Sequence, residues 1–359
     1  MTQRALTEYN LCQSLDDLMN LDPRGYGVCR ILYAASRAVA GEPTTLAAGR
    51  ALCAALANGG IAHIITGFVL PANRCGEMDG IVGSAMLARA LARACGAKSL
   101  LAVPDECLDA MRAVLRVAGL HVYGDVEAML RFPNSACVVA ISKDAATAAE
   151  QAASLAAACR PAAAIAVEAP GANAKGVYHN AVGLDVTELE AKSDALFIHL
   201  QSLGVPTFAI GDLGNEIGMG AIGEALLRRV PRAAPGRCGC PCGGGIAAAT
   251  AADHLITATA SDWGAYALAA AIALLSGAPD ALHDESLERR ALIAASEAGM
   301  VDISGYLVPA VDGFNEALNA HLVGAMRQLI DHADRFASHA GDWFEKVAEL
   351  GYFDEAVRR

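Results

Sequence analysis

Lysine is scarce in this chain of 359 residues, occurring only at Lys98, Lys143, Lys175, Lys192 and Lys346. Fixed positive charge in a functional site is therefore expected from arginine. A net charge of −12 without any basic patch excludes nucleic acid as a natural partner. Aromatic residues make up only 5% of the chain although 54% is hydrophobic. Alanine supplies much of the remainder, which fits alanine-rich helices packed on β-branched strands. The longest apolar run, 265–275, is too short to span a bilayer. The opening residues MTQRALTEYNLCQSLDD lack the apolar stretch of a secretory signal. These absences predict a cytoplasmic protein with no membrane partner.

Paired C-x-x-C spacing is also missing. The eleven cysteines are scattered and odd in number, which suggests reduced thiols. Cys238, Cys240 and Cys242 form C-x-C-x-C between glycines, with no second cysteine cluster to complete a common zinc arrangement. The segment reads as a glycine-rich surface loop. A G-x-G-x-x-G phosphate fingerprint is absent too, which disfavours a dinucleotide.

What is present is an alternation of short apolar runs with amphipathic ones. Strands are expected at 61–70, 99–104, 120–123, 136–141, 162–168, 205–210 and 254–260. Helices are expected at 46–58, 83–95, 106–118, 126–131, 145–159, 187–203, after 218, and at 265–275, 285–298 and 321–336. An N-terminal helical segment (1–43) turns at DPRGYG, and a helical tail (337–359) closes the chain. The pattern predicts an α/β fold, a mostly parallel sheet with helices on both faces in a Rossmann-like three-layer arrangement, as a single large domain.

Four polar clusters follow predicted strand ends, where open α/β sheets place their ligands. The first, 66–80, carries Arg74, Glu77 and Asp79. The second, 167–185, carries Glu168, Asn173, Lys175, Tyr178, His179 and Asn180. The third, 205–220, packs Asp212, Asn215 and Glu216 among glycines at 211, 214, 218 and 220. The fourth, 259–267, holds Ser261, Asp262 and Trp263. Each has a plainer reading. Asp79, Ser261 and Asp262 suit helix caps, His179 a structural histidine, and Trp263 a core residue. The third cluster suits a phosphate poorly, because Asp212 would repel it. Acids beside glycine turns better fit an ammonium group, hydroxyls or a divalent cation.

In order along the chain, TGF and GEMDG (66–68, 76–80), GVYHNAVG (176–183), GDLGNEIGMG (211–220), AADHL (251–255), SDWGAYAL (261–268) and the acidic pairs at 301–302 and 311–313 resemble the D-glutamate cyclase family. The resemblance spans about residues 22–312. Departures are Glu168-Ala169-Pro170-Gly171 where the family usually has Arg after the acid, Asp262 where it usually has Asn, and Met78 where Thr is more common. The resemblance implies dehydration of D-glutamate to 5-oxo-D-proline, a carbon–oxygen lyase reaction on a small amino-acid substrate. Asp212 and Glu216 are then expected to bind and deprotonate the amine, with Glu77 or Asp79 as acid at the departing oxygen. Asn215, Asn180 and the backbone at Gly214 would polarise the carboxyl. Arg74 and Tyr178 would meet a substrate carboxylate, and Thr66, Gly67, Gly80, Glu168, Ser261, Trp263 and Asp312 would complete the binding surface. Asp212, Glu216, Glu77 and Asp79 are also candidate ligands for Mg²⁺ or Mn²⁺. Alternatives are hydrolysis of a lactam, cyclisation of another amino acid, and small-acid binding without turnover. A homodimer is the commonest oligomer for such a protein.

Overall fold

A computed structural model of the chain describes residues 3–337 and 349–351, so the tail expected over 337–359 lies almost wholly outside the described residues. Seven strands form one sheet: β1 Ile61–Thr66, β2 Lys98–Val103, β3 His121–Tyr123, β4 Ser135–Ala140, β5 Ala163–Val167, β6 Thr207–Gly211 and β7 His254–Thr257. Their order is β3-β4-β2-β1-β5-β6-β7, and every pairing is parallel. Strand residues alternate between two apolar layers. Ile64, Leu101, Ile165 and Ile210 enter one, while Ile65, Leu100, Ala166 and Ala209 enter the other. The expected three-layer α/β fold is therefore the one observed. No helix among the described residues is long and apolar enough to cross a membrane.

One layer is built on helices Gln3–Met19, Thr44–Ala55, Ile81–Cys95 and Ser261–Ser276. The opposite layer includes Val28–Ala40, Ala145–Ala158 and Asp194–Ser202. Alanine lets Ser261–Ser276 bury nearly all of its surface against close neighbours. At Gly83 the approach is tightest: an added Cβ would lie 2.5 Å from Asp262 Oδ1.

β2, β3 and β4 lie on one side of β1, and β5, β6 and β7 on the other. The winding direction thus reverses between β1 and β5, which opens a crevice beyond their carboxyl ends. Register pairs Thr66 with Val167, and the Gly67 amide donates to the Glu168 carbonyl at 3.1 Å.

Several boundaries differ from the sequence reading. β1 stops at Thr66, because Gly67 takes a φ of 108°, and the remaining apolar residues form a small hairpin of Val69–Leu70 with Cys75–Gly76. The helix expected over 187–203 begins only at Asp194. The strand expected to reach 260 ends at Thr257, and the following helix starts at Ser261 rather than 265.

Candidate active site

A cavity of about 370 Å³ sits at the crevice. Its polar lining includes Glu77, Glu168, Glu190, Asp212, Asn215 and Asp312, and Phe68, Val182, Leu184 and Ile303 contribute to an apolar rim. Three of the four predicted clusters reach it directly. The fourth reaches it through Ser261, whose hydroxyl donates to Glu168 Oε2 at 2.6 Å.

The loop after β6 is shaped by its own acid. Glu216 is fully buried, and its carboxylate accepts the amides of Asp212 (3.3 Å), Leu213 (2.8 Å) and Gly214 (2.7 Å). This curls the chain so that Asp212 and Asn215 line the cavity while Glu216 lies beneath it. Gly218 closes the loop at a φ of 96°, with Ala209 only 2.1 Å from where a Cβ would stand.

Asp79 is engaged in a different way. Its Oδ2 accepts the Ser261 amide at 2.9 Å, and Oδ1 accepts those of Asp262 (2.7 Å) and Gly80 (3.0 Å). Asp262 returns the arrangement, with Oδ1 accepting Gly80 (2.9 Å) and Gly83 (2.7 Å). Each aspartate thus caps the helix that begins beside the other. The plainer capping reading fits both residues, but the caps are crossed rather than local.

The acids are crowded and short of cations. Burial holds Glu77, Glu168 and Asp212 well above the usual carboxylate range; the neighbouring charge adding most is Asp312 for Glu77, Glu216 for Glu168 and Glu168 for Asp212. Burial also pushes Glu190 up to about 8. Asp79 rises to about 7 through burial and the Asp312 charge, against the pull of its three backbone donors. Asp312 is raised by burial and drawn back by Arg24, whose Nη1 stands 3.2 Å from Oδ2. Two buried acceptors, Asp212 Oδ1 and Asn215 Oδ1, have no donor. Backbone strain gathers here as well: Glu168 and Asp312 adopt positive φ values of 42° and 53°, a conformation costly for residues with a Cβ.

Several predicted residues stand elsewhere. Arg74 is exposed and outside the cavity lining. The Tyr178 hydroxyl donates to Asp194 Oδ1 at 2.5 Å. Trp263 is fully buried, stacked on Phe314, and donates to Asn319 at 2.6 Å, matching its core reading. Thr66, Gly67 and Gly80 stand outside the cavity lining, although Gly80 packs closely behind it: a Cβ there would meet Thr66 Oγ1 at 2.6 Å and Glu168 Cβ at 2.7 Å. Asn180 lines the cavity, and its side chain closes a local turn by accepting the Leu184 amide at 2.9 Å.

Sequence reasoning missed Glu190 and Arg24. Arg24 sits in the DPRGYG turn, which Asp22 organises by accepting the amides of Gly25, Tyr26 and Gly27. The turn was legible, but nothing in it indicates an acid 288 positions later. His179 was read as structural, and it joins Cys238, Cys240 and Cys242 in one cluster. Two all-carboxylate groups, Asp79–Asp212–Asp312 and Glu168–Asp212–Glu216, likewise bring their oxygens within 4.8 Å of one another.

The family model described as D-glutamate cyclase-like, C-terminal, matches residues 15–327. The human protein named D-glutamate cyclase, mitochondrial, is 33% identical over 126 residues. That stretch is 35% of this chain and 18% of the human protein.

Proposed function

The chain belongs to the D-glutamate cyclase-like family, and from that premise we propose that the cavity converts D-glutamate to 5-oxo-D-proline with loss of water. Ring closure joins the amine nitrogen to the side-chain carboxyl carbon and breaks one carbon–oxygen bond. The ammonium gives up two protons, the departing oxygen collects them, and water leaves. The site needs an acceptor for the ammonium and a neutral acid at the leaving oxygen.

The observation that carries this reading is the pair of donorless buried acceptors beside carboxyls that burial raises above their usual range. Asp212 Oδ1 and Asn215 Oδ1 are complementary to an ammonium group. Asp212 is assigned as the base. Glu77 is assigned as the acid, because the carboxylate of Asp79 is taken up by three backbone amides. Protonated Glu77 and Glu168 let a dicarboxylate enter an acidic cavity, since each neutral carboxyl donates a hydrogen bond where an ionised one repels. Arg24 offsets the charge of Asp312 from behind. Holding both ends of one molecule in a folded conformer supplies much of the acceleration.

The missing arginine after Glu168 bears little on this assignment. Ala169 packs in the apolar layer on the far side of the sheet and does not line the cavity.

Incubation with D-glutamate, L-glutamate and 5-oxoproline, followed by chiral chromatography, tests the proposal. The expected result is 5-oxo-D-proline from D-glutamate. Turnover of 5-oxoproline alone would replace it with lactam hydrolysis, and absence of any product would leave a binding protein.

A second reading rests on the carboxylate triads: Mg²⁺ or Mn²⁺ held by Asp212 with Asp312 or Glu168. Such a cation would keep the acids ionised and polarise the substrate carboxyl. Chelation followed by re-addition of either metal separates the two readings. Activity that survives chelation favours the protonated site.

A further inference from the structure

We propose that Cys238, Cys240, Cys242 and His179 form a structural zinc site, separate from the acidic cavity. The Cys238 sulfur lies 3.6 Å from that of Cys242 and 3.8 Å from that of Cys240. His179 Nε2 lies 3.1 Å from Cys240 Sγ and 3.6 Å from Cys242 Sγ. Zinc–sulfur bonds of about 2.3 Å and zinc–nitrogen bonds of about 2.0 Å in a tetrahedron require sulfur–sulfur separations of about 3.8 Å and sulfur–nitrogen separations of about 3.5 Å. These four separations stand close to those values, and all four ligand atoms lie within 4.8 Å of one another. Four protein ligands leave no open position, which is the pattern of a structural centre rather than a catalytic one.

The surroundings fit independently of the ligands. Residues 231–245 contain neither helix nor strand, so little regular hydrogen bonding holds them. The Gly244 amide donates to Cys242 Sγ at 3.2 Å. Backbone donors of this kind suit thiolate ligands. On the other edge of the His179 ring, Nδ1 stands 3.5 Å from Asn173 Nδ2, an outer-shell contact that helps to orient the ring. Gly245 adopts a φ of 75° with Ala233 O only 2.1 Å from a Cβ position, so the loop closes tightly around the cluster.

Binding converts three thiols to thiolates, releases three protons, keeps the imidazole neutral and leaves the centre with one negative charge. Its structural consequence reaches the cavity. The carbonyl of His179 accepts Asn215 Nδ2 at 3.0 Å, so the ligand that anchors the loop also fixes a residue of the cavity wall.

The test is metal analysis of the purified full chain, with cobalt substitution as a second readout. One zinc per chain is expected. The cobalt form should show thiolate-to-cobalt charge transfer and the visible bands of a tetrahedral centre, and an oxygen-only site in the cavity cannot give that charge transfer. The Cys240→Ser/Cys242→Ser double variant should lose both signals, whereas Asp212→Asn should keep them even if turnover is gone. Substoichiometric zinc, an octahedral cobalt spectrum, metal retained by the double variant, or thiol counting that reveals a Cys238–Cys242 disulfide would each overturn the proposal.

Discussion

Asp79 and Asp262 cap each other's helices, each carboxylate accepting amides at the start of the helix beside its partner. The exchange brings the N-termini of Ile81–Cys95 and Ser261–Ser276 together, next to the Ser261–Glu168 contact. It also sets two carboxylates side by side in buried surroundings, so burial and Asp79 raise Asp262 well above its ordinary range.

Asp262→Asn should therefore be tolerated. Its amide oxygen still accepts from Gly80 and Gly83, and one buried charge disappears. Asp262→Ala should cost about 1–3 kcal/mol, because two buried amides lose their acceptor. Denaturant unfolding of both variants checks this, and equal destabilisation would contradict the capping account.

Asp212→Asn and Glu216→Gln should separate chemistry from scaffold. The first is expected to lower kcat by at least about 100-fold while leaving the melting temperature unchanged or raised. The second puts an amide nitrogen against backbone donors, so it should lose both activity and about 2 kcal/mol of stability. Kinetics and thermal melts on the same preparations decide it.

Arg24→Ala removes the cation drawing Asp312 back toward its ordinary value. The Asp312 pKa then rises, and a rate limb that depends on its ionised form should move to higher pH. The KM for the substrate should increase by about tenfold through the disturbed charge balance. A pH–rate profile of the variant against the parent measures both effects.

Stability should increase on mild acidification. Asp79 has a folded pKa of about 7 against an ordinary 3.8, and Glu190 one of about 8 against 4.5. A raised folded pKa contributes stability that is fully present below the unfolded value and lost as pH climbs through the folded one. The loss thus falls between about pH 4 and about pH 8. The melting temperature should be higher at about pH 6 than at about pH 8, which a calorimetric series will show.

The parallel sheet, its two helical layers and the acidic turns at strand ends were legible because they rest on local periodicity and glycine placement. The late start assigned to the helix at 261 shows where that legibility stops. Its N-cap, Ala260, has no side-chain acceptor, and the acceptor comes from Asp79, 182 positions away. The segment 187–193 is rich in helix formers, yet Lys192 donates to the carbonyls of Thr187 and Glu190 while Glu190 accepts the Val69 amide. Tertiary contacts there override propensity. His179 and the three cysteines stayed apart in the sequence reading because their spacing follows no common pattern, and only the turn at 172–186 brings them together.

The Arg24–Asp312 pair joins residues 288 positions apart. One partner is synthesised near the start of the chain and the other after the whole sheet, so the central strands can pair before this contact exists. Closing so long a loop is costly until the sheet has already drawn its ends together. A chain halted before Asp312 would lack this contact and one wall of the cavity, together with the core residues Leu322, Val323, Met326 and Ile330. Completion of the cavity would then follow the pairing of the central strands.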